Sequence, residues 1–235
     1  MAWARENPID MFNKNILRAK VVQGCVETAS CRHFIETGTY HAATAMGAQR
    51  YLGLPVRSCE IDPRNYLISR AVTWNMPGIT LCRADSPNFL RQECARLKSL
   101  PGACPFFYLD AHENELDLSS LPLEEEVRAI LSLPEFVAMV DDFRVPQVES
   151  FEARSYAGKV IDVGLIKDLL QAADIHTCHF PAYGPADDTG YPSGYGLFWR
   201  SRKLDRIMEN PPFPLNLLRP YSLAEEKYTA GTQGL

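Results

Sequence analysis

The sequence predicts an α/β fold, a mostly parallel β-sheet covered by helices on both faces. Three observations predict it. Short apolar runs alternate with longer segments whose apolar residues recur at helical spacing. One of the runs, Phe106-Phe107-Tyr108-Leu109, is apolar throughout, as a strand buried on both faces should be. A carboxylate also sits at or just past the end of five successive runs: Glu36, Glu60, Asp85, Asp110 and the pair Asp141-Asp142. If the runs are parallel strands, these acids line the one rim where open α/β sheets bind ligands.

The elements follow in order. Residues 9–26 carry Ile9, Met11, Phe12, Ile16, Leu17, Val21 and Val22 at helix-like spacing, which predicts a helix ahead of the first strand. The first strand ends at Glu36, and Thr37-Gly38-Thr39 turns the chain into a small-residue helix over 40–52. The second strand is 56–60. Asp62 and Pro63 then read as N-cap and first helical residue of a helix to about Trp74. Met76-Pro77-Gly78 is a turn and 79–84 the third strand. Ser86-Pro87 opens the next helix, to Leu97. Pro101-Gly102 breaks the chain before the fourth strand, 106–110, and a polar loop spans 112–120. The helix 123–133 has an acidic first turn, Glu124-Glu125-Glu126, which suits its dipole. The fifth strand is 136–140, followed by a helix at 163–173, a sixth strand at 175–180 and a seventh at 196–200. The whole is read as one domain over 1–235, with an N-terminal helical segment (1–30) and a tail (211–235). That tail either wraps the body, reaches a partner subunit or stays mobile. Trp3, Trp74 and Trp199 are expected to pack.

Composition narrows the function. The net charge of −5 and the lack of a basic block argue against a nucleic-acid partner. No run of about 18 apolar residues would span a membrane. The first eight residues lack the apolar core of a signal segment, so the expected location is cytoplasmic. Seven cysteines without paired spacing read as free thiols. His176-Thr177-Cys178-His179 invites a zinc reading, but no Cys-x-x-Cys pair accompanies it; a strand with alternating faces accounts for it better.

The segment from Phe34 to Ala42 is a strand, a glycine turn and a helix start. Gly38 would let a ligand approach the backbone, and the helix N-terminus offers N–H groups to a carboxylate. A dinucleotide site would want Gly-x-Gly-x-x-Gly here. Glu36 stands instead at its first position, where it would repel phosphate and attract an ammonium group. S-adenosylmethionine combines ammonium, carboxylate, ribose and adenine without phosphate. Glu60 would accept from its ribose hydroxyls, while Asp85, with Ser86 beside it, would bind the adenine amino group.

These motifs, Glu36-x-Gly38, Glu60, Ala84-Asp85-Ser86 and Tyr108-Leu109-Asp110, resemble those of class I S-adenosylmethionine-dependent methyltransferases over roughly 35–143. The resemblance implies a Rossmann-like, seven-stranded, mostly parallel sheet of order 3-2-1-4-5-7-6 with its last strand antiparallel. It implies cofactor contacts from Glu36, Gly38, Thr39, Tyr40, Glu60, Ile61, Asp85, Ser86 and Asp110. Ala42 and Ala43 stand where that family usually has glycine or another small residue.

Asp110 and Asp141-Asp142 follow adjacent strands, which lie about 5 Å apart. Three clustered carboxylates repel one another unless a cation sits among them, and Mg2+ suits oxygen ligands. The pattern is similar to that of metal-dependent O-methyltransferases of the catechol and macrocin types, which implies Asp110, Asp141 and Asp142 as metal ligands. His112, beside Asp110, is the candidate base. Catechol-type enzymes have a lysine near Glu113, and macrocin-type enzymes a second aspartate at His112. The expected activity is thus methyl transfer, to oxygen on a small-molecule acceptor, with the oligomeric state open. Tyr183, Tyr191 and Tyr195 are candidate acceptor-pocket aromatics. The rival readings are a nucleotide-dependent oxidoreductase and a binding module without catalysis.

Overall fold

The computed structural model describes residues 11–112, 121–148, 150–152, 155–156 and 158–224. The start of the expected first helix, Trp3, Glu113 with most of its loop, and the tail beyond Ala224 lie outside the described residues.

Among the described residues ten strands form: β1 (His33–Thr37), β2 (Val56–Glu60), β3 (Ile79–Arg83), β4 (Pro105–Leu109), β5 (Phe136–Asp141), β6 (Ser155–Tyr156), β7 (Lys159–Val160), β8 (Thr177–Pro181), β9 (Tyr195–Arg200) and β10 (Leu218–Ser222). The helices are α1 (Ile16–Ala29), α2 (Ala43–Tyr51), α3 (Pro63–Val72), α4 (Ser86–Lys98), α5 (Leu123–Ile130), α6 (Val163–Ala172) and α7 (Arg202–Ile207). The main sheet runs β10-β8-β9-β5-β4-β1-β2-β3. β1 to β5 are mutually parallel, and β9 is antiparallel to β5. The architecture is α/β and Rossmann-like. The expected order of the first seven strands is present, but the sheet has eight strands, not seven. The additional edge strand is β10 from the tail, antiparallel to β8. Leu215, Leu218 and Leu223 anchor it in the core, so this part of the tail wraps the body. A separate hairpin, β6-β7, also went unforeseen; two-residue strands leave no periodic signal.

The strands alternate faces as a two-sided sheet requires. Phe34, Phe106, Tyr108, Val137 and Met139 pack in the core that contains the buried residues of α1 and α2. Ile35, Phe107, Leu109, Ala138 and Val140 pack in the core of α4, α5 and α6. Full burial on both sides is why β4 and β5 lack polar alternation.

The N-terminal helix differs from expectation. Phe12, Asn13 and Lys14 have φ of 49°, 56° and 69°, a left-handed turn that breaks the helical pattern before α1. Three non-glycine residues in that region cost about 1–2 kcal/mol each. The loop before β9 offsets the cost. Asn15 Nδ2 donates to Phe12 O at 2.8 Å and Tyr191 O at 3.0 Å, Tyr191 N–H donates to Asn13 O at 3.1 Å, and Phe12 meets the Tyr108 ring edge-on at 4.9 Å. Gly190, at φ +85°, lies so close to Asn13 O that a Cβ there would sit 2.1 Å away.

Asn15 makes no side-chain cap to α1. Asp188 supplies it from across the chain, Oδ1 accepting from Leu17 N–H at 2.8 Å and Oδ2 from Arg18 N–H at 3.2 Å. A carboxylate there satisfies orphan donors and complements the helix dipole. Asp188→Ala is expected to lower stability by about 1–2 kcal/mol, read from the urea midpoint.

Trp74 is 82% exposed instead of packed, because α3 ends at Val72 before it. Trp199 is buried and stacks on His179 with centroids 4.0 Å apart. His176 points away to Asp174, at 3.0 Å.

Candidate functional site

Because β1 to β5 are parallel, the acids that end them share the C-terminal rim of the sheet. Their surroundings differ, and those surroundings decide what each can do.

Glu36, in β1, is 1% exposed. It accepts a hydrogen bond from Ser58 Oγ of β2 at 2.5 Å, and Ser58 Oγ lies 2.6 Å from Thr39 Oγ1. Burial pushes the Glu36 carboxyl up to about 8; the Ser58 bond opposes this and nearby Glu60 adds to it. It has no ion-pair partner among the described residues. Glu60 accepts from Tyr40 N–H at 2.7 Å and Asp62 N–H at 2.9 Å, one at each carboxylate oxygen. Each oxygen keeps a further lone pair. Ile61 is partly exposed beside it, and the Tyr40 side chain is 62% exposed, stacked on His41.

At φ +78° Gly38 approaches β4's exit so closely that a Cβ would lie 2.4 Å from Asp110 O. The glycine therefore admits the neighbouring backbone. Gly38 and Thr39 N–H both donate to Cys59 O, at 3.1 and 3.0 Å, tying this turn to β2. Ala42 holds φ +64° at the start of α2, a conformation a glycine adopts without strain.

Asp85 N-caps α4, accepting from Asn88 N–H at 3.0 Å and Asn88 Nδ2 at 2.8 Å. Asp62 caps α3 likewise. Both are helix caps first. Ser86 is buried near Glu126 of α5, a fully buried carboxyl pushed up to about 7 by burial. The Ser86 and Thr37 hydroxyls lie close enough to stabilise its ionised form, but no donor meets hydrogen-bond geometry at either Glu126 oxygen.

Asp110, just past β4, is raised well above the carboxylate range by burial, and then by repulsion from Asp141, Asp142 and Glu36. Asp110 thus lies within electrostatic reach of Glu36, Asp141 and Asp142. Asp141 behaves differently from the rest. Burial favours its neutral form, but Arg18 of α1 outweighs it, with the Tyr108 hydroxyl and Asp142 N–H, and holds the carboxyl below its usual range. Arg18 Nη1 lies 2.5 Å from Asp141 Oδ1, with the two side chains 2% and 1% exposed. Ser193 Oγ and Asp142 N–H also reach Oδ1, at 3.2 and 2.8 Å, and Tyr108 O–H donates to Oδ2. Asp142, at φ +51°, accepts from Tyr156 O–H.

This donor set does not fit the expected Mg2+. Asp141 is filled by four protein donors, one of them a cation, and among the described residues no three His, Cys, Asp or Glu side chains are gathered around a metal position. Asp110, Asp141 and Asp142 as joint metal ligands stay an expectation of the family resemblance.

His112 is 3% exposed and packs 5.6 Å from the Tyr156 ring. Burial lowers its pKa to about 4, against the pull of Asp141 and the nearby Asp141 and Leu109 carbonyls. Neither ring nitrogen has a partner in hydrogen-bond geometry among the described residues. It is therefore neutral at pH 7 and a weak base, whereas Asp110 is a stronger base than a solvated carboxylate.

The tyrosines named as acceptor-pocket candidates lie around the start of α1. Tyr195 is buried, its ring centroid 4.9 Å from the Arg18 guanidinium carbon, and its hydroxyl lies 3.2 Å from that of Tyr183. Tyr191 O–H donates to Glu152. Sequence reasoning missed Arg18, Ser58, Ser193 and Glu126. An arginine amid the apolar run of α1 was the one available signal, since such a residue is buried only with a partner.

No protein-family model matches the chain, and no curated protein does. Solved structures similar to it include the O-methyltransferase from Bacillus cereus in complex with SAH, at 16% identity and TM-score 0.48, covering 78% of this chain and 80% of that one. Another is the O-methyltransferase TomG from Streptomyces achromogenes, involved in tomaymycin synthesis, in complex with SAM, at 17% identity and TM-score 0.47, covering 77% and 78%. A third is spermidine synthase from Thermotoga maritima, at 13% identity and TM-score 0.46, covering 80% and 61%.

Proposed function

We propose that the chain is an S-adenosylmethionine-dependent methyltransferase acting on an oxygen of a small molecule. One observation carries the reading. Glu36, buried, and Asp110, partly buried, leave adjacent strands β1 and β4 with carboxyls whose repulsion raises Asp110, and neither has an ion-pair partner among the described residues. Desolvated carboxylates of this kind call for a cationic guest and oppose a pyrophosphate.

In this reading Glu36 and Asp110 take the ammonium group. Glu60 shares its remaining lone pairs with the ribose hydroxyls, and Ile61 supplies an apolar surface to the adenine. Ser86, Thr39 and Tyr40 border the same mouth, with Asp85 contributing through its helix cap. The bound cofactor supplies a methyl group activated by its sulfonium. The chain's contribution is to position the acceptor and exclude water. The acidic rim argues against nucleic-acid substrates. The seven free cysteines suit a reducing compartment such as the cytoplasm.

Calorimetric titration with S-adenosylhomocysteine tests the reading. Binding is expected to release protons, because an ammonium group favours the ionised form of carboxyls that burial keeps protonated. Affinity should rise from pH 6 to 8, by up to about tenfold per unit for one linked carboxyl. Binding of NAD without binding of S-adenosylhomocysteine would refute it.

A further inference from the structure

We propose that Arg18 is the resident cation of the acidic rim. Its guanidinium balances the charge of Asp141, at the end of β5, where a divalent ion would otherwise sit. The catalytic part of this inference rests on the methyltransferase reading; the electrostatic part does not.

Arg18 is 1% exposed and reaches the end of β5 from α1. Nη1 bonds to Asp141 Oδ1 at 2.5 Å, while Nη2 donates to Ser193 O at 2.5 Å and lies 3.1 Å from Ser193 Oγ. The Tyr195 ring covers it as a cation–π partner. Its own backbone N–H is held by Asp188, so the loop before β9 fixes both the helix end and the charge it carries. The guanidinium thus sits on Asp141, whose Oδ1 also accepts from Asp142 N–H at 2.8 Å. A fixed guanidinium is a weakly hydrated, planar cation suited to burial. It differs from a metal in one respect that matters for specificity. It offers no open coordination positions, so it cannot chelate two acceptor oxygens, and an acceptor need not carry adjacent hydroxyls.

A purely structural ion pair and a cation substitute make different predictions when the guanidinium is removed. Mn2+ is the probe. Chelator-treated wild-type protein and Arg18→Met are each melted with and without Mn2+, and Mn2+ binding is followed by electron paramagnetic resonance. The wild type is expected to bind no stoichiometric Mn2+ and to melt at the same temperature throughout. Arg18→Met is expected to gain a single Mn2+ site. Its melting temperature should rise by roughly 5–10 °C at Mn2+ a hundredfold above the dissociation constant. A stoichiometric Mn2+ site in the wild type overturns the proposal, and that measurement stands even if Arg18→Met does not fold. Arg18→Lys, which keeps the charge, should fold and show little Mn2+ response; Arg18→Met folded but unresponsive would leave only a structural ion pair and also overturns the proposal. S-adenosylhomocysteine binding to the wild type, measured separately, reports on the methyltransferase reading alone.

Discussion

Glu36→Gln is expected to stabilise the unliganded protein while weakening S-adenosylmethionine binding by about 10- to 100-fold, the effect of losing a charge-assisted hydrogen bond. The two effects have one cause. A carboxyl raised to about 8 in the fold, against about 4.3 when solvated, binds a proton more tightly folded than unfolded. Its contribution to stability is fully present below pH 4.3 and is lost as pH rises through 8. Wild-type stability should therefore decline between these values, whereas glutamine has no proton to lose. Near pH 4 the two proteins should unfold nearly alike. By pH 8 the variant should lead by on the order of 2–4 kcal/mol, read from urea midpoints across pH. A variant that binds cofactor normally would remove Glu36 from the site, and a difference that does not vary with pH would remove the buried charge.

Breaking the Arg18–Asp141 pair is expected to cost about 3–5 kcal/mol, because removing either partner leaves the other charge buried and uncompensated. Set against a typical stability of about 5–15 kcal/mol, that is enough to decide whether the protein is folded when warm. Arg18→Met and Asp141→Asn should each show it in urea titrations. Combined, they should fall short of the sum of the singles by roughly 1–3 kcal/mol, since the second change removes the orphan left by the first. The pH dependence runs opposite to that of Glu36. Asp141 is held below its usual range, so the pair's contribution stands above about pH 4 and is lost as pH falls further through the folded-state value. The acid limb of unfolding should be shallower in Arg18→Met. Additive singles, or an unchanged acid limb, would show that the two groups are not coupled.

Much of the fold was legible because its signals are local. An apolar run such as Phe106–Leu109 needs two covered faces wherever it sits, and Asp62-Pro63 starts a helix by satisfying its own neighbours' N–H groups. The acid after each run was legible for the same reason, since parallel strands place their ends together. β10 was not legible. Arg219 and Pro220 interrupt any apolar pattern, and the strand exists because β8 offers an open edge. The left-handed turn at Phe12–Lys14 was hidden too, because apolar spacing there imitates a helix while hydrogen bonds from Tyr191 and Asn15 hold it.

Sequence alone determined which carboxylates reach the rim, because strand and helix periods are written in neighbouring residues. Tertiary structure alone decided their charge states. Arg18 stands 123 positions from Asp141, and Glu36 is raised by burial beneath elements that surround it in space. Whether a carboxylate waits for a cation or already holds one depends on solvent exclusion and on distances across the fold, and neither is encoded between adjacent residues.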